Sequence, residues 1–265
     1  MINKSLLTIV LAAIALTGAS AQAPANVQAV DLGLPSGILW ASCNVGATTP
    51  DGYGNYYAWG ETAPKADYSW ATYKHANGAY NKITKYCTIA SYGNDGFTDD
   101  KTTLDPEDDA AHVNWGGDWH IPTDAEWKEL RTQCTWTWTT QNGVNGYQVA
   151  SQTNGNSIFL PAAGCSDGTA LKGVGSYGNY WYSSLYGYPC SAWSLDLLSD
   201  GIDRTGYFRV YGFSVRPVQE SGTGTGFGCT AATDTAPVRK LLHNGQVLIE
   251  RAGKTYTLQG VEYLP

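Results

Sequence analysis

Catalysis and metal binding need titratable side chains at defined spacings, and this chain offers few. His75, His112, His120 and His243 show no i, i+4 pairing, and none sits with a cysteine at zinc-ligand spacing, so they read as structural or surface residues. No Gly-x-Ser-x-Gly elbow occurs, and no Ser, His and Asp set is singled out by its surroundings. Gly173-Val174-Gly175-Ser176-Tyr177-Gly178 matches a dinucleotide fingerprint in letters alone, because an aromatic, strand-like run follows it where a phosphate-binding helix should start. The acidic residues Asp99 and Asp100, with the run from Asp105 to Asp109, raise calcium, since hard cations want several carboxylates together. They lack EF-hand spacing, and they suit equally the acidic start of a helix with a solvated face. The reading is of no catalytic residue, no cofactor and no metal.

Recognition is better served than reaction. The stretch "SDGIDRTGYFRVYGFSVRPV", Ser199 to Val218, ends in residues that alternate apolar and polar as a half-buried strand should, yet the residues before them follow no period. Across Tyr182 to Tyr211 the chain is rich in Tyr, Ser, Gly and Asp. Tyrosine brings large amphipathic contact area at small entropic cost, and the small polar residues bring adaptable hydrogen bonding, which is the composition of a binding face.

Composition bounds the fold that must carry such a face. The 265 residues are 43% hydrophobic, with 31 Gly, 18 Tyr and 10 Trp against 15% charged residues, a mixture that favours strands, turns and aromatic contacts over long helices. The net charge of −7, without any Lys/Arg cluster, argues against nucleic acid and anionic membrane surfaces as partners. Residues 1–21 read as a secretory signal peptide: Lys4, an apolar run from Leu6 to Leu16, and the exit Ala19-Ser20-Ala21 before Gln22. That run is too short to span a bilayer, and no other stretch could. The six cysteines are an even number in an exported chain, which permits disulfides, but they are scattered, without CxxC, and buried free thiols remain equally open.

Residues 22–29 read as a short tether, followed by a domain over 30–219 that opens with short strands punctuated by Gly33, Pro35 and Gly37. Asp51 to Tyr80 lacks periodicity and is dense in aromatics, which predicts ordered, irregular loop. One helix is predicted with Asp105 as its cap and Pro106 first, running through Val113 to stop at Gly116-Gly117. A second is predicted from the capping box Thr123 and Glu126, with Trp127, Leu130 and Cys134 on one face. Strands then return, divided by Asn-Gly turns at Asn142-Gly143, Asn145-Gly146 and Asn154-Gly155, with the apolar run Ile158 to Ala163 after them. Two central helices amid antiparallel strands make an α+β domain. Residues 220–237 read as a flexible linker, and 238–265 as a compact β module with turns at Asn244-Gly245 and Ala252-Gly253.

The blocks "DLGLPSGILWASCNVGA", "NYYAWGET", "LDPEDDAAHVNWGGDWHIPTDAEWKEL", "NSIFLPAAG" and "YGFSVRPV" resemble, in family order, the Fibrobacter succinogenes major paralogous domain of exported Bacteroidota proteins. "WHIPTDAEW" and "YGFSVRPV" also resemble counterparts in formylglycine-generating enzymes, which implies a C-type-lectin-like fold whose first and last strands pair and whose segment before the last strand is displayed for binding. Some members of that fold are varied by diversity-generating retroelements, which turn AAY codons into NNY codons; these never encode Lys, Glu, Gln, Met or Trp. From Tyr182 to Tyr211 the first four are absent and the only Trp is Trp193.

The resemblance then implies a frame of Trp193, Leu195, Leu197, Ser199, Arg204, Arg209 and Gly212 to Val218. It implies ligand-facing, variable positions at Tyr182, Leu185, Tyr186, Tyr188, Cys190, Ser191, Ser194, Asp196, Leu198, Asp200, Asp203, Thr205, Gly206, Tyr207, Phe208, Val210 and Tyr211. The implied partner is a protein or glycan on another cell or surface, met by a secreted or cell-surface protein, with the periplasm as a further location. No Glu-Pro-Asn or Trp-Asn-Asp sugar motif occurs, which favours protein over glycan. Two rival readings stay open. One is a copper oxidase of the formylglycine-generating type, for which Cys165 and Cys190 are the only nearby thiols, outside any matching motif; the other is a structural module of a surface assembly. Val238 to Pro265, through "NGQ", "GKTY" and "GVE", resembles C-terminal modules of exported proteins, some of them associated with type IX secretion.

Overall fold

The computed structural model describes residues 21–221 and, beyond them, the strands within 239–257; all but the last residue of the predicted signal peptide over 1–21, most of the linker and the turns at Asn244-Gly245 and Ala252-Gly253 lie outside the described residues. The chain divides into two compact units at Glu220/Ser221. The second unit contains an antiparallel sheet of β12 (Arg239–His243), β13 (Gln246–Arg251) and β14 (Lys254–Thr257).

The first unit is α+β, with mostly antiparallel sheets and two α-helices among its described residues. β1 (Ala29–Asp31) and β11 (Val218–Gln219) both pair with β2 (Leu39–Ala41), so the start and the end of the domain meet across one strand. The residues expected to be a tether are docked: Ala23 and Val27 pack against the core, and the Asn26 side chain donates to the Thr48 carbonyl.

Helix α1 spans Ala110–Trp115 and is capped by Asp109, whose carboxylate accepts from the amides of Ala111 and His112. The predicted cap, Asp105, makes no capping bond. Pro106–Asp108 form a separate 3₁₀ turn, and the extended backbone of Asp109 (φ −85°, ψ 113°) ends it. Helix α2, Asp124–Gln133, begins with the capping box of Thr123 and Glu126 and buries Trp127 and Leu130. His120 donates to Glu126 as well, 3.0 Å away; burial opposes its charged form, but the carboxylate wins and lifts its pKa to about 9.

After α2 come β3 (Cys134–Gln141), β4 (Val144–Ser151) and β5 (Ser157–Pro161) in one antiparallel sheet. Two of the three Asn-Gly pairs are turns; Asn145-Gly146 instead lies inside β4, opposite Thr139, Thr140 and Pro161. Glycine is required there because a Cβ would overlap the Leu160 carbonyl. The hairpin of β6 (Cys165–Asp167) and β7 (Ala170–Lys172) leads to a further sheet of β8 (Tyr177–Leu185), β9 (Ser191–Leu198) and β10 (Gly201–Phe208), in the order β8-β9-β10.

One side of that sheet closes the core. Trp127 of α2 lies 4.8 Å from Trp40 of β2 and 5.7 Å from Tyr182 of β8, ring centre to centre, with Leu195 and Leu197 of β9 in the same cluster. The irregular segment after Asp51 is ordered by its own aromatics, Tyr68 and Tyr73 being buried in a further cluster.

The last segment of the domain departs from its expected half-burial, since every residue from Gly212 to Val218 is buried. Backbone groups on both sides bind it: Tyr57 and Phe213 exchange two hydrogen bonds, Ser214 donates to Asn179 and accepts from Trp181, and Val45 donates to Val215. Its polar residues are therefore interior. Arg216, fully buried, donates to Asn44 Oδ1 (2.9 Å) and to the carbonyls of Ala41 (2.9 Å) and Phe159 (2.8 Å). Arg209, also fully buried, donates to the carbonyls of Lys85 and Tyr86 and lies over the rings of Trp59 and Tyr73.

Replacing Arg216 with Leu orphans three buried acceptors at roughly 1–3 kcal/mol each, so the variant should lose about 3 kcal/mol or more of stability in urea unfolding. A loss below about 1 kcal/mol would show that these acceptors find other partners.

Candidate binding face

Strand alternation divides the candidate residues between two faces of one sheet. In β9, Trp193, Leu195 and Leu197 turn toward α2 and the core, while Ala192, Ser194, Asp196 and Leu198 turn the other way. In β10, Asp203, Thr205 and Tyr207 stand directly opposite Asp196, Ser194 and Ala192, and therefore share their face. From β8, Tyr177, Asn179 and Trp181 join that face, opposite Leu198, Asp196 and Ser194.

At one end this face packs into the core through Trp181, Ala192 and Phe213. Toward the β9–β10 turn it opens as a pocket of about 360 Å³, within the range that holds small ligands or single side chains. Its polar base is Asp196, only 8% exposed. Oδ1 accepts from Asn179 Nδ2 (2.7 Å) and Ser194 Oγ (3.0 Å), and Oδ2 accepts from the Tyr207 hydroxyl (2.9 Å). Burial raises the Asp196 pKa, against those donors and Thr205, and burial beside this carboxylate raises that of Tyr207.

The walls are aromatic. Tyr207, Tyr211 and Phe213 form a connected set with ring centres 5.3–6.3 Å apart, and Tyr177 closes the other side with its hydroxyl 3.4 Å from Cys165 Sγ. Leu198, 45% exposed, forms the lip. Lys172 and Asp167, paired at 2.6 Å on the β6–β7 hairpin, line the mouth.

The predicted ligand-facing residues thus fall into three groups. Leu198, Asp203, Thr205, Tyr207 and Tyr211 reach solvent on or beside the pocket face, with Asp196 and Ser194 buried beneath them and Asp200 exposed in the turn between the strands. Tyr186, Tyr188, Gly206 and Phe208 are accessible elsewhere. Tyr186 packs edge-on against Trp193 at 4.5 Å and its ring occupies the space that a side chain at Gly206 would fill, while Phe208 packs on Trp70 at 6.0 Å.

The remaining five, and with them Ser194, cannot face a ligand directly because packing claims them. Tyr182 lies against Trp127; Leu185 joins the cluster of Trp181 and Phe213; Val210 packs with Tyr68 and Tyr73; Cys190 and Ser191 are buried where the chain folds back into β9. Among the frame residues, Ser199 is exposed and Trp193 is half-buried under Arg204, whose guanidinium lies 3.4 Å from its ring centre. Asn179, Tyr177, Asp167 and Lys172 were not anticipated. The period of β8 held a signal for two of them, since Tyr177, Asn179 and Trp181 alternate and a buried Asn in an aromatic strand needs a partner.

The five described cysteines are free; Cys165 lines the pocket and Cys190 does not, its thiol lying beside the Ser191 hydroxyl instead. In the acidic run, Asp105, Glu107 and Asp108 do converge, but the Lys85 ammonium sits among them at 2.6, 3.1 and 2.6 Å. Burial opposes ionisation of Asp108, yet hydrogen bonds from Lys74, Lys85 and Tyr86 hold its pKa at about 2. A lysine supplies the positive charge that a calcium ion would.

Compared with known proteins, the chain matches no family model, no curated protein and no solved structure. No helix among the described residues is long and apolar enough to cross a membrane.

The raised Asp196 pKa carries a sign. Between the ordinary value of 3.8 and the raised one, the folded chain keeps a proton that the unfolded chain releases, so rising pH erodes stability across that window. Asp196→Asn removes that slope. Urea unfolding at a series of pH values should show the parent losing stability relative to the variant as pH rises from below 4, and a difference independent of pH would refute the burial of this charge.

Proposed function

We propose that this chain is an exported, non-enzymatic, receptor- or adhesin-like protein that holds a macromolecular ligand on the β8-β9-β10 face. Its first unit is taken as a C-type-lectin-like domain, a reading supported by domain ends that meet across β2, by two helices, and by irregular loops packed over a displayed sheet. The observation that carries the binding reading is the division of labour along β9 and β10. Leu195 and Leu197 of β9 are committed to the core, while Asp196 and Leu198, with Tyr207 of β10, line an open pocket walled by Tyr177, Tyr207 and Tyr211. Aromatic walls with a recessed polar group are how proteins anchor a few side chains of a partner. Protein is the preferred ligand class, at the cell surface or in the medium, with glycan second. A retroelement-diversified face also follows from this reading, because substitutions at the pocket positions would leave the core side of the sheet untouched.

Two measurements test it. An array of proteins and glycans probed with the chain should give a signal that is lost in a Leu198→Glu, Tyr211→Ala variant melting at the parent temperature. A signal that survives would place binding elsewhere. Deep sequencing of the DNA encoding Tyr182 to Tyr211 across one population should find variation at Leu198, Asp203, Thr205, Tyr207 and Tyr211 while Trp193, Leu195, Leu197 and Arg204 stay constant. Uniform sequence would make this a fixed module, and variation at the core-facing positions would contradict the division of the sheet.

A further inference from the structure

Granting that the pocket face binds a protein, its charge and donor pattern narrow what enters it. We infer that the pocket takes an organic cation: the ammonium or guanidinium head of a lysine or arginine side chain on the partner.

Three observations lead there. First, Asp196 is a recessed carboxylate with neutral donors only. Asn179, Ser194 and Tyr207 orient it, but among the described residues no Lys, Arg or His stands within ion-pair distance of it. A buried carboxylate in that state is normally paired. The nearby cations are spoken for: Lys172 at the mouth is held by Asp167 at 2.6 Å, and Arg204 is on the opposite face of the sheet, bonded to Asp124 at 2.8 Å.

Second, β10 places Asp203 directly opposite Asp196 on the same face of the sheet. One face of the sheet therefore carries a recessed carboxylate and an exposed one, whose Oδ1 accepts from the Arg204 amide. Asp203 is exposed, as is Asp200 in the adjoining turn, which gives the approach to the pocket a negative field.

Third, the pocket sets aromatic faces beside its recessed carboxylate. The Asn179 amide and the Tyr207 hydroxyl already donate to Asp196, and Lys172 already donates to Asp167. A lysine or arginine head needs acceptors and benefits from ring faces. Tyr207, Tyr211 and Phe213 provide those faces, and Leu198 at the lip suits the methylenes of the stem.

The experiment titrates the folded chain, followed by NMR of the Asn179 side-chain amide and the backbone amides of Tyr207 and Tyr211, with four probes. These are the N-acetyl methylamides of lysine, arginine and norleucine, and glucosamine. Lysine or arginine is expected to shift those signals, with norleucine at least about tenfold weaker because it keeps the stem and lacks the charge. Asp196→Asn should weaken the cation about tenfold, and Asp203→Asn, at an exposed position that cannot perturb the core, should weaken it to a smaller extent. Equal binding of norleucine, tighter binding of glucosamine, no shift with any probe, or full affinity in both variants would overturn the assignment. An array signal that depends on Leu198 and Tyr211 but not on Asp196 or Asp203 would overturn it too, while leaving the pocket face as the binding surface. Loss of dependence on Leu198 and Tyr211 would instead remove the reading on which it rests.

Discussion

The buried guanidinium of Arg216 is the constraint on which the rest of this domain depends. It reaches Asn44 and Ala41 from the N-terminal part of the domain and Phe159 from β5, joining three segments that no single sheet connects. Because its partners are carbonyl-type acceptors without a carboxylate, its charge is stabilised by geometry alone, and burial pulls its pKa below the ordinary guanidinium value. Tyr180 completes the arrangement by donating to the Pro161 carbonyl while accepting from Asn44. Arg209 does the same work seven residues earlier, among Lys85, Tyr86, Trp59 and Tyr73. Between these two anchors the chain has no freedom to shift register, so Tyr211 and Phe213 are held as one wall of the pocket.

With that wall in place, the sheet divides alternate positions of β9 between two faces. Leu195 and Leu197 bury against Trp127 and Trp40, and the intervening Ser194, Asp196 and Leu198 are then obliged to line the other face. Packing buries every residue of β9 except Trp193 and Leu198, whereas no residue of β10 is fully buried. That is how an ordered frame and an aperiodic surface coexist within a few residues of one another.

Charge is handled in opposite ways at the two acidic sites. Around α1, Asp105, Glu107 and Asp108 surround the Lys85 ammonium, with Lys74 and Lys101 adding further pairs, and the result is a structural network with low carboxylate pKa values. In the pocket, Asp196 has hydrogen bonds but no counter-charge, and burial lifts its pKa. The difference lies in the partners that folding supplies, since both sites consist of ordinary aspartates.

Local chemistry by itself determined the elements that short-range physics governs. The capping box of Thr123 and Glu126, the helix stop at Gly116, and the turns at Asn142-Gly143 and Asn154-Gly155 were all legible, because each depends on residues a few positions apart. Local chemistry also misled where a tertiary contact outweighed it. Asp109 displaced Asp105 as the cap because its buried carboxylate also accepts from Ile121. Asn145-Gly146 stayed in a strand because the Leu160 backbone passes too close for any other residue. Only the tertiary structure decided which candidates reach the surface. Tyr182 and Tyr207 are the same residue type in one segment, yet one is sealed under Trp127 and the other opens on a pocket, since exposure depends on what packs above a strand. The pocket also needs Asn179 from β8 and the β6–β7 hairpin, and no spacing along the chain records a contact that exists only once those strands are laid side by side.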